Sequence, residues 1–237
     1  MKHTWQEIWS NKHVMPDTAF TLAQLIALDG FNSPFGGLRE TSHWLNYLDA
    51  LRLKLSIREG DSIFEVGCGA GAFLYPFYQR GHPVAGIDYS ERLVNVASTA
   101  MPGAVIRLGE ATTLTSHPPY DVVVSNGVFL YFADYAYAAL VLRQMVQTAT
   151  KSVGVFDVPD LAKKEAALQH RIATIGAAAY AEQYQGLDHL YYARDWFAKI
   201  LTDEPLNITV EDQCIEGYGN SQYRFNVFIH KRESANV

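Results

Sequence analysis

A doubly wound α/β sheet is the fold class this sequence predicts, and three observations predict it. From Gly60 onward, short apolar runs alternate with segments of helical period, which implies parallel strands joined by right-handed crossovers. The first of those runs, residues 62–66, passes directly into Gly67-Cys68-Gly69-Ala70-Gly71, a turn almost free of side chains. The second run ends in an acid, Asp88, 21 positions after Gly67. Glycine tolerates positive φ and leaves room against the main chain, so this loop is built for close approach by a nucleotide-like ligand.

The elements follow in chain order. Thr4-Trp5-Gln6-Glu7 has the form of a capping box opening a short helix, and residues 18–28 read as a second apolar helix stopped by Asp29-Gly30. Residues 31–37 are a turn-rich connector. From Thr41, the positions Trp44, Leu45, Leu48, Leu51 and Leu55 recur with helical period. Residues 1–59 are therefore expected to form a helical N-terminal cap on a domain spanning 60–237. In that domain, apolar runs at 62–66, 84–87, 104–108, 121–125 and 153–158 predict strands, and 72–80, 91–101 and 135–149 predict helices. An insertion at about 159–206 follows: an Ala/Gln/Tyr-rich helix over 161–185, a turn at 186–189 and a helix near 194–201. Two β-rich runs, 207–213 and 222–230, are joined through Gly217-Tyr218-Gly219-Asn220. So short a link favours an antiparallel pair, because parallel strands need a crossover of a dozen or more residues.

Bulk properties narrow the function. The 237 residues, 49% of them hydrophobic, supply a full core, and the net charge of -6 without a run of Lys or Arg argues against a nucleic-acid partner. A small-molecule partner fits better. The two cysteines, Cys68 and Cys214, lack zinc-ligand spacing and are too few for a disulfide framework, so a reducing, cytoplasmic setting and no metal site are expected. No segment has the apolar length of a signal peptide or a membrane span, which predicts a soluble protein without a membrane partner. The 14 tyrosines, 12 phenylalanines and 4 tryptophans are enough to coat a pocket as well as fill a core.

Two ligands compete for the glycine loop. Gly67-x-Gly69-x-x-Ala72 satisfies the dinucleotide form, so an NAD(P)-dependent oxidoreductase is one reading, and a cofactor-binding module without turnover is another. Glu65, the additional Gly71, the helical lead-in and the antiparallel end of the sheet all count against a dinucleotide. An acid at 65 welcomes a cationic amino group and repels a pyrophosphate. Asp88 is placed to accept hydrogen bonds from ribose hydroxyls.

With Glu65-Val66-Gly67-Cys68-Gly69-Ala70-Gly71, Gly86-Ile87-Asp88-Tyr89-Ser90, Gly109-Glu110-Ala111 and residues 121–128 occurring in this order, the chain resembles the class I S-adenosylmethionine-dependent methyltransferases. The resemblance runs from about Gly60 to the C-terminus. It implies a Rossmann-like, mostly parallel seven-stranded sheet with an antiparallel C-terminal strand, and S-adenosyl-L-methionine as cofactor. It also implies roles: Gly67, Gly69 and Gly71 around the methionine part, Asp88 on the ribose, Tyr89, Glu110 and Ala111 at the adenine, and Asn126, Gly127 and Phe129 near the methyl-donating end, with Glu65 and Cys68 also expected among the cofactor-binding residues. Glu110 stands where aspartate is commoner.

The acceptor is expected to be a small molecule methylated on oxygen or nitrogen. Ligands in open sheets sit beyond the carboxyl ends of the strands, which points to Tyr131 after the fourth strand and Asp157 after the fifth. His189, followed by Leu190-Tyr191-Tyr192 in the insertion, is the histidine chosen for proton transfer over His43, His82, His117 and His170. Trp5, Trp9, Phe31, Phe35 and Trp44 either shield the cofactor or pack the cap. Arg224, unusual in a strand-like run, either binds an acidic acceptor or pairs with a carboxylate.

Overall fold

Strands whose side chains are apolar on both faces need helices on both faces, and the chain supplies them. The computed structural model describes residues 4–13, 19–116 and 118–232. In order these form α1 (Trp5–Ser10), α2 (Leu22–Leu28), α3 (Thr41–Lys54), β1 (Ile63–Val66), α4 (Leu74–Gln79), β2 (Val84–Asp88), α5 (Glu91–Ala100), β3 (Val105–Leu108) and β4 (Tyr120–Asn126). Then come α6 (Tyr135–Thr148), β5 (Ala149–Pro159), α7 (Lys164–Ile175), α8 (Ala177–Tyr184), α9 (Trp196–Ile200), β6 (Leu206–Asp212) and β7 (Arg224–Lys231).

The seven strands form one sheet in the order β3-β2-β1-β4-β5-β7-β6. β1 pairs in parallel with both β2 and β4, and β7 runs antiparallel between β5 and β6. Strand order therefore reverses between β1 and β4, and a crevice opens beyond their carboxyl ends. One face of the sheet is covered by α3, α4 and α5 through Trp44, Leu48, Phe73, Phe77 and Leu93; the other is covered by α6 and α9 through Val141, Leu142, Met145 and Phe197. Trp44 is fully buried there, its indole Nε1 donating to the Ala72 carbonyl at 3.0 Å, so this tryptophan is a core residue and not part of a ligand roof.

Local chemistry sets the ends of the lead-in helices. Thr4 and Thr21 each close a capping box, with Glu7 and Gln24 respectively. The second helix begins at Leu22, not at 18, because the Thr21 box fixes its first turn; position 18 lies outside the described residues. The expected single helix over 161–185 is instead a short 3₁₀ turn at Leu161–Lys163 followed by α7 and α8, which part at Gly176 with φ 86°. β5 extends beyond 153–158 at its start because it continues the ladder with β4, and it carries an irregularity between Val155 and Val158. Asp157 sits in that irregularity at φ 56°, a left-handed conformation that costs a non-glycine residue about 1–3 kcal/mol and tends to be retained at functional sites. Among the described residues, no helix is long and apolar enough to cross a membrane.

Candidate functional site

Two adjoining cavities open at the carboxyl edge of the sheet. The larger, about 720 Å³, lies over the ends of β1, β2, β3 and β4. The smaller, about 340 Å³, lies between the ends of β4 and β5, α7 and the Gly186–His189 turn. Trp5, Asp29, Phe31, Gly127, Tyr131 and Leu187 border both.

The glycine loop forms the floor of the larger cavity, and carboxylates hold its shape. Gly69 N–H donates to Asp88 Oδ2 at 2.9 Å, and the Ser90 N–H donates to Asp88 Oδ1 at 2.8 Å. Asp29, from the end of α2, reaches back across the loop: its Oδ1 accepts from Ala70 N–H at 2.6 Å and its Oδ2 from Ala72 N–H at 2.9 Å. A Cβ at Gly69, which has φ 50°, would meet Asp29 Oδ1 at 2.3 Å, and one at Gly67, with φ 72°, would meet Val128 Cγ2 at 2.5 Å. Both positions exclude side chains on two independent grounds. Gly71 turns away from the cavity, its α-carbon facing Met101 and Ala97 of the neighbouring helix layer.

Charge is the cavity's second property. Its lining includes Asp29, Glu65, Asp88, Glu110 and Asp188 and, among the described residues, no Lys, Arg or His. Glu65 is buried at the end of β1 with Oε2 unpartnered, and burial, reinforced by Asp29 and Asp88, pushes its carboxyl well above the usual range. Burial raises Asp88 as well. Asp29 is pushed up to about 7 by burial, against the opposing pull of the Ala70 and Ala72 amides. Three carboxylates crowded in low dielectric repel one another, and a bound cation would relieve them.

α1 roofs this cavity. Gln6 Nε2 donates to Glu110 Oε1 and the Tyr137 hydroxyl donates to Glu110 Oε2, each at 3.2 Å, so Glu110 ties α1 to α6 across the rim. Ser90 Oγ donates to the Trp9 carbonyl at 3.1 Å. Trp5 stacks on His189 with centroids 4.5 Å apart and donates through Nε1 to the Asp188 carbonyl at 3.0 Å.

Of the residues singled out in the sequence, Glu65, Gly67, Cys68, Gly69, Asp88, Tyr89, Glu110, Ala111, Asn126, Gly127 and Tyr131 line the larger cavity. Asn126 Oδ1 is buried there without a partner. Phe129 does not line it: the ring is buried against Phe132, Tyr192 and Phe197, because the turn after β4 directs it into the core beneath α9. Asp157 and His189 belong to the smaller cavity, beside Arg224. His43, His82 and His170 line neither cavity, and His117 lies outside the described residues.

The smaller cavity changes how His189 reads. Its Nδ1 lies 3.0 Å from Arg171 Nη1. A guanidinium only donates, so Nδ1 is the acceptor and the neutral ring carries its proton on Nε2. Burial, then the charges of Arg171 and Arg224, hold the imidazole well below its usual pKa. It is thus a neutral hydrogen-bond donor toward the cavity, not the proton acceptor expected from the sequence. Tyr131 is pushed up to about 12, chiefly by burial, and stays a phenol at neutral pH. Asp157 Oδ1 lies 3.8 Å from Arg224 Nε, and burial raises its carboxyl despite that neighbour.

Asp29 and Arg171 escaped the sequence reading. Asp29 looked like a helix stop, and nothing local signals that it crosses to a loop forty positions later. Arg171 does leave a trace, since it shares one face of α7 with Ala167, the helix's other buried residue.

Residues 64–152 match the family model described as a methyltransferase domain. No curated protein matches the chain. Among solved structures, it is similar to magnesium protoporphyrin IX methyltransferase from Synechocystis PCC 6803 with bound SAH, at 16% identity and TM-score 0.61 over 87% of this chain and 94% of that one. It is also similar to the plantazolicin methyltransferase BpumL in complex with a monoazolic desmethylPZN analog and SAH, at 17% identity and TM-score 0.60 over 90% and 89%. A TehB-like SAM-dependent methyltransferase from Corynebacterium glutamicum ATCC 13032 gives 16% identity and TM-score 0.54 over 81% and 96%. At these identities the structures establish the shared fold.

Proposed function

We propose that this chain is an S-adenosylmethionine-dependent methyltransferase that transfers the cofactor's methyl group to an oxygen or nitrogen atom of a small-molecule acceptor, a reading supported by the methyltransferase-domain match over residues 64–152. The observation that carries the reading is the larger cavity's charge, with five acidic residues and, among the described residues, no basic one in its lining around a glycine loop at the sheet's switch point. That lining suits a nucleoside bearing a sulfonium and an ammonium group. It opposes a dinucleotide, because the Gly69, Ala70 and Ala72 amides are already occupied by Asp88 and Asp29 and a pyrophosphate would meet carboxylates there.

When bound, the cofactor supplies the methyl group on an activated sulfonium. The chain supplies position and shelter. Glu65 and Asp29 face the cationic end, Asp88 offers its carboxylate to ribose hydroxyls, and Tyr89 with Ala111 flanks the base. Glu110, held between Gln6 and Tyr137, fastens the roof more than it reads the adenine. Trp5 and Trp9 exclude water from above, so the lead-in residues 1–59 act as a cap on the domain 60–237. Tyr131, at the junction of the two cavities, offers a hydroxyl to the acceptor. The net charge of -6 favours a small molecule over nucleic acid, and the free cysteines fit a cytoplasmic setting.

The test is transfer of label from a methyl-labelled cofactor to fractionated metabolite extracts. A labelled O- or N-methyl product made by the native protein and lost in Asp88→Ala supports the proposal. Tight cofactor binding with no transfer to any fraction would favour a non-catalytic module.

A further inference from the structure

We infer that the smaller cavity is a carboxylate-binding subsite for the acceptor, with Arg171 as its anchor and His189 Nε2–H as a second donor. The inference rests on the methyltransferase reading only for calling the ligand an acceptor.

The smaller cavity carries a charge imbalance around buried side chains. Lys12, Arg171 and Arg224 line this cavity against two acids, Asp29 and Asp157. Asp29 is committed to the glycine loop through Ala70 and Ala72 and is the acid that balances Lys12, whose ammonium also donates to the Leu28 carbonyl. Asp157 is committed to Arg224, which lies on the adjacent strand. Arg171 is left over. It is only 5% exposed, makes no ion pair among the described residues, and its Nε has no hydrogen-bond partner. Its contacts are the neutral His189 and the face of Phe35, 5.9 Å from the ring centroid. Asp157, the acid whose charge it feels, is shared with Arg224, and a buried guanidinium without a carboxylate of its own is costly.

The other orphaned donors gather around it. His189 Nε2 and Arg224 Nη1 are buried and unpartnered, and both side chains line the same cavity. A planar acceptor with two oxygens matches a guanidinium fork and one further N–H. Phe31, Phe35, Tyr131 and Tyr184 supply apolar and aromatic walls, which suits a carboxylate carried on an aromatic or other flat body. The two cavities thus sort the reactants by sign: an acidic one for the cationic cofactor and a basic one for the anionic acceptor.

The probe is benzoate, titrated calorimetrically into the protein without cofactor, with benzamide and benzylamine as neutral and cationic controls of the same shape. S-adenosylhomocysteine is titrated separately, so loss of the subsite and loss of cofactor recognition are read independently. Benzoate should bind at least tenfold more tightly than either control. Arg171→Gln should lose at least tenfold in benzoate affinity, Arg171→Lys should recover part of it, and both should keep their affinity for S-adenosylhomocysteine within about twofold. Equal binding of benzoate and benzamide to the native protein, no benzoate binding at all, or undiminished benzoate binding in Arg171→Gln would each overturn the inference.

Discussion

Replacing Asp29 with asparagine should remove most of the pH dependence of cofactor binding that originates at the glycine loop. In the native protein both carboxylate oxygens accept loop amides, Ala70 at 2.6 Å and Ala72 at 2.9 Å. Asparagine keeps one acceptor and turns an NH₂ group toward the other amide. A hydrogen bond to a charged group contributes roughly 1.5–3 kcal/mol, so the loop loses about that much of its preorganisation when Asp29 is ionised. The carboxyl titrates at about 7 in the free protein. A cation bound beside it favours the anion, so binding must expel the proton at low pH and need not at high pH. Between pH 6 and 8 the ionised fraction of a group with that pKa rises about tenfold, and the affinity of the native protein for S-adenosylmethionine should rise by a similar factor from this residue alone. Titration of the cofactor's own amino group is common to both proteins and cancels in the comparison. Calorimetry in two buffers of different ionisation enthalpy reads both the affinity and the protons released. Asp29→Asn should bind about tenfold more weakly than the native protein at pH 8, nearly equally at pH 6, and with fewer protons released. A variant with the native pH slope would refute the assignment of that proton to Asp29.

Other outcomes follow from the same geometry. Asp29, Glu65 and Asp88 all have carboxyls raised in the fold, so the folded chain holds protons that the unfolded chain gives up from about pH 4 upward. The melting temperature of the free protein should fall as pH rises from 5 to 8, and saturating S-adenosylmethionine should flatten that fall, as thermal-shift measurements can show. Gly69→Ala places a Cβ 2.3 Å from Asp29 Oδ1 at φ 50°, and at roughly 1–2 kcal/mol for the backbone conformation alone it should weaken cofactor binding by tenfold or more in the same calorimeter. Trp5→Ala removes the stack on His189 and the bond to Asp188; at roughly 1–2 kcal/mol for the two together, stopped-flow fluorescence should show cofactor release accelerated about tenfold. Because His189 stays neutral across the working range, the pH profile of kcat should show no limb near the ordinary histidine value, and His189→Gln, which keeps a donor, should retain more activity than His189→Leu.

The parts of this molecule legible in the sequence are those whose signal is local. Ile63, Phe64 and Val66 declare a buried strand that runs into the glycine turn, and Asp88 declares itself by its spacing from Gly67. The Thr4 box, closed within four residues, is legible for the same reason. What escaped depends on contacts distant in sequence. Asp29 reads as a turn acid until α2 is laid across the loop it braces. His189 reads as a base until Arg171, eighteen positions earlier, takes its Nδ1 and fixes the proton on the other nitrogen. Phe129 reads as a site residue from its position after β4, but the direction of a side chain in a 3₁₀ turn depends on the aromatic cluster beneath it. Gly176 breaks the predicted 161–185 helix because its φ of 86° cannot continue a right-handed turn.

The sign of the ligand that the glycine loop accepts decides the function of this fold most directly. Isothermal titration of the native protein with S-adenosylmethionine and with NADH, repeated on Asp88→Ala and Gly69→Arg, decides it. Binding of the sulfonium cofactor that both substitutions weaken strongly, with no binding of NADH, is the predicted result. Binding of NADH by the native protein, with no affinity for S-adenosylmethionine, would contradict it.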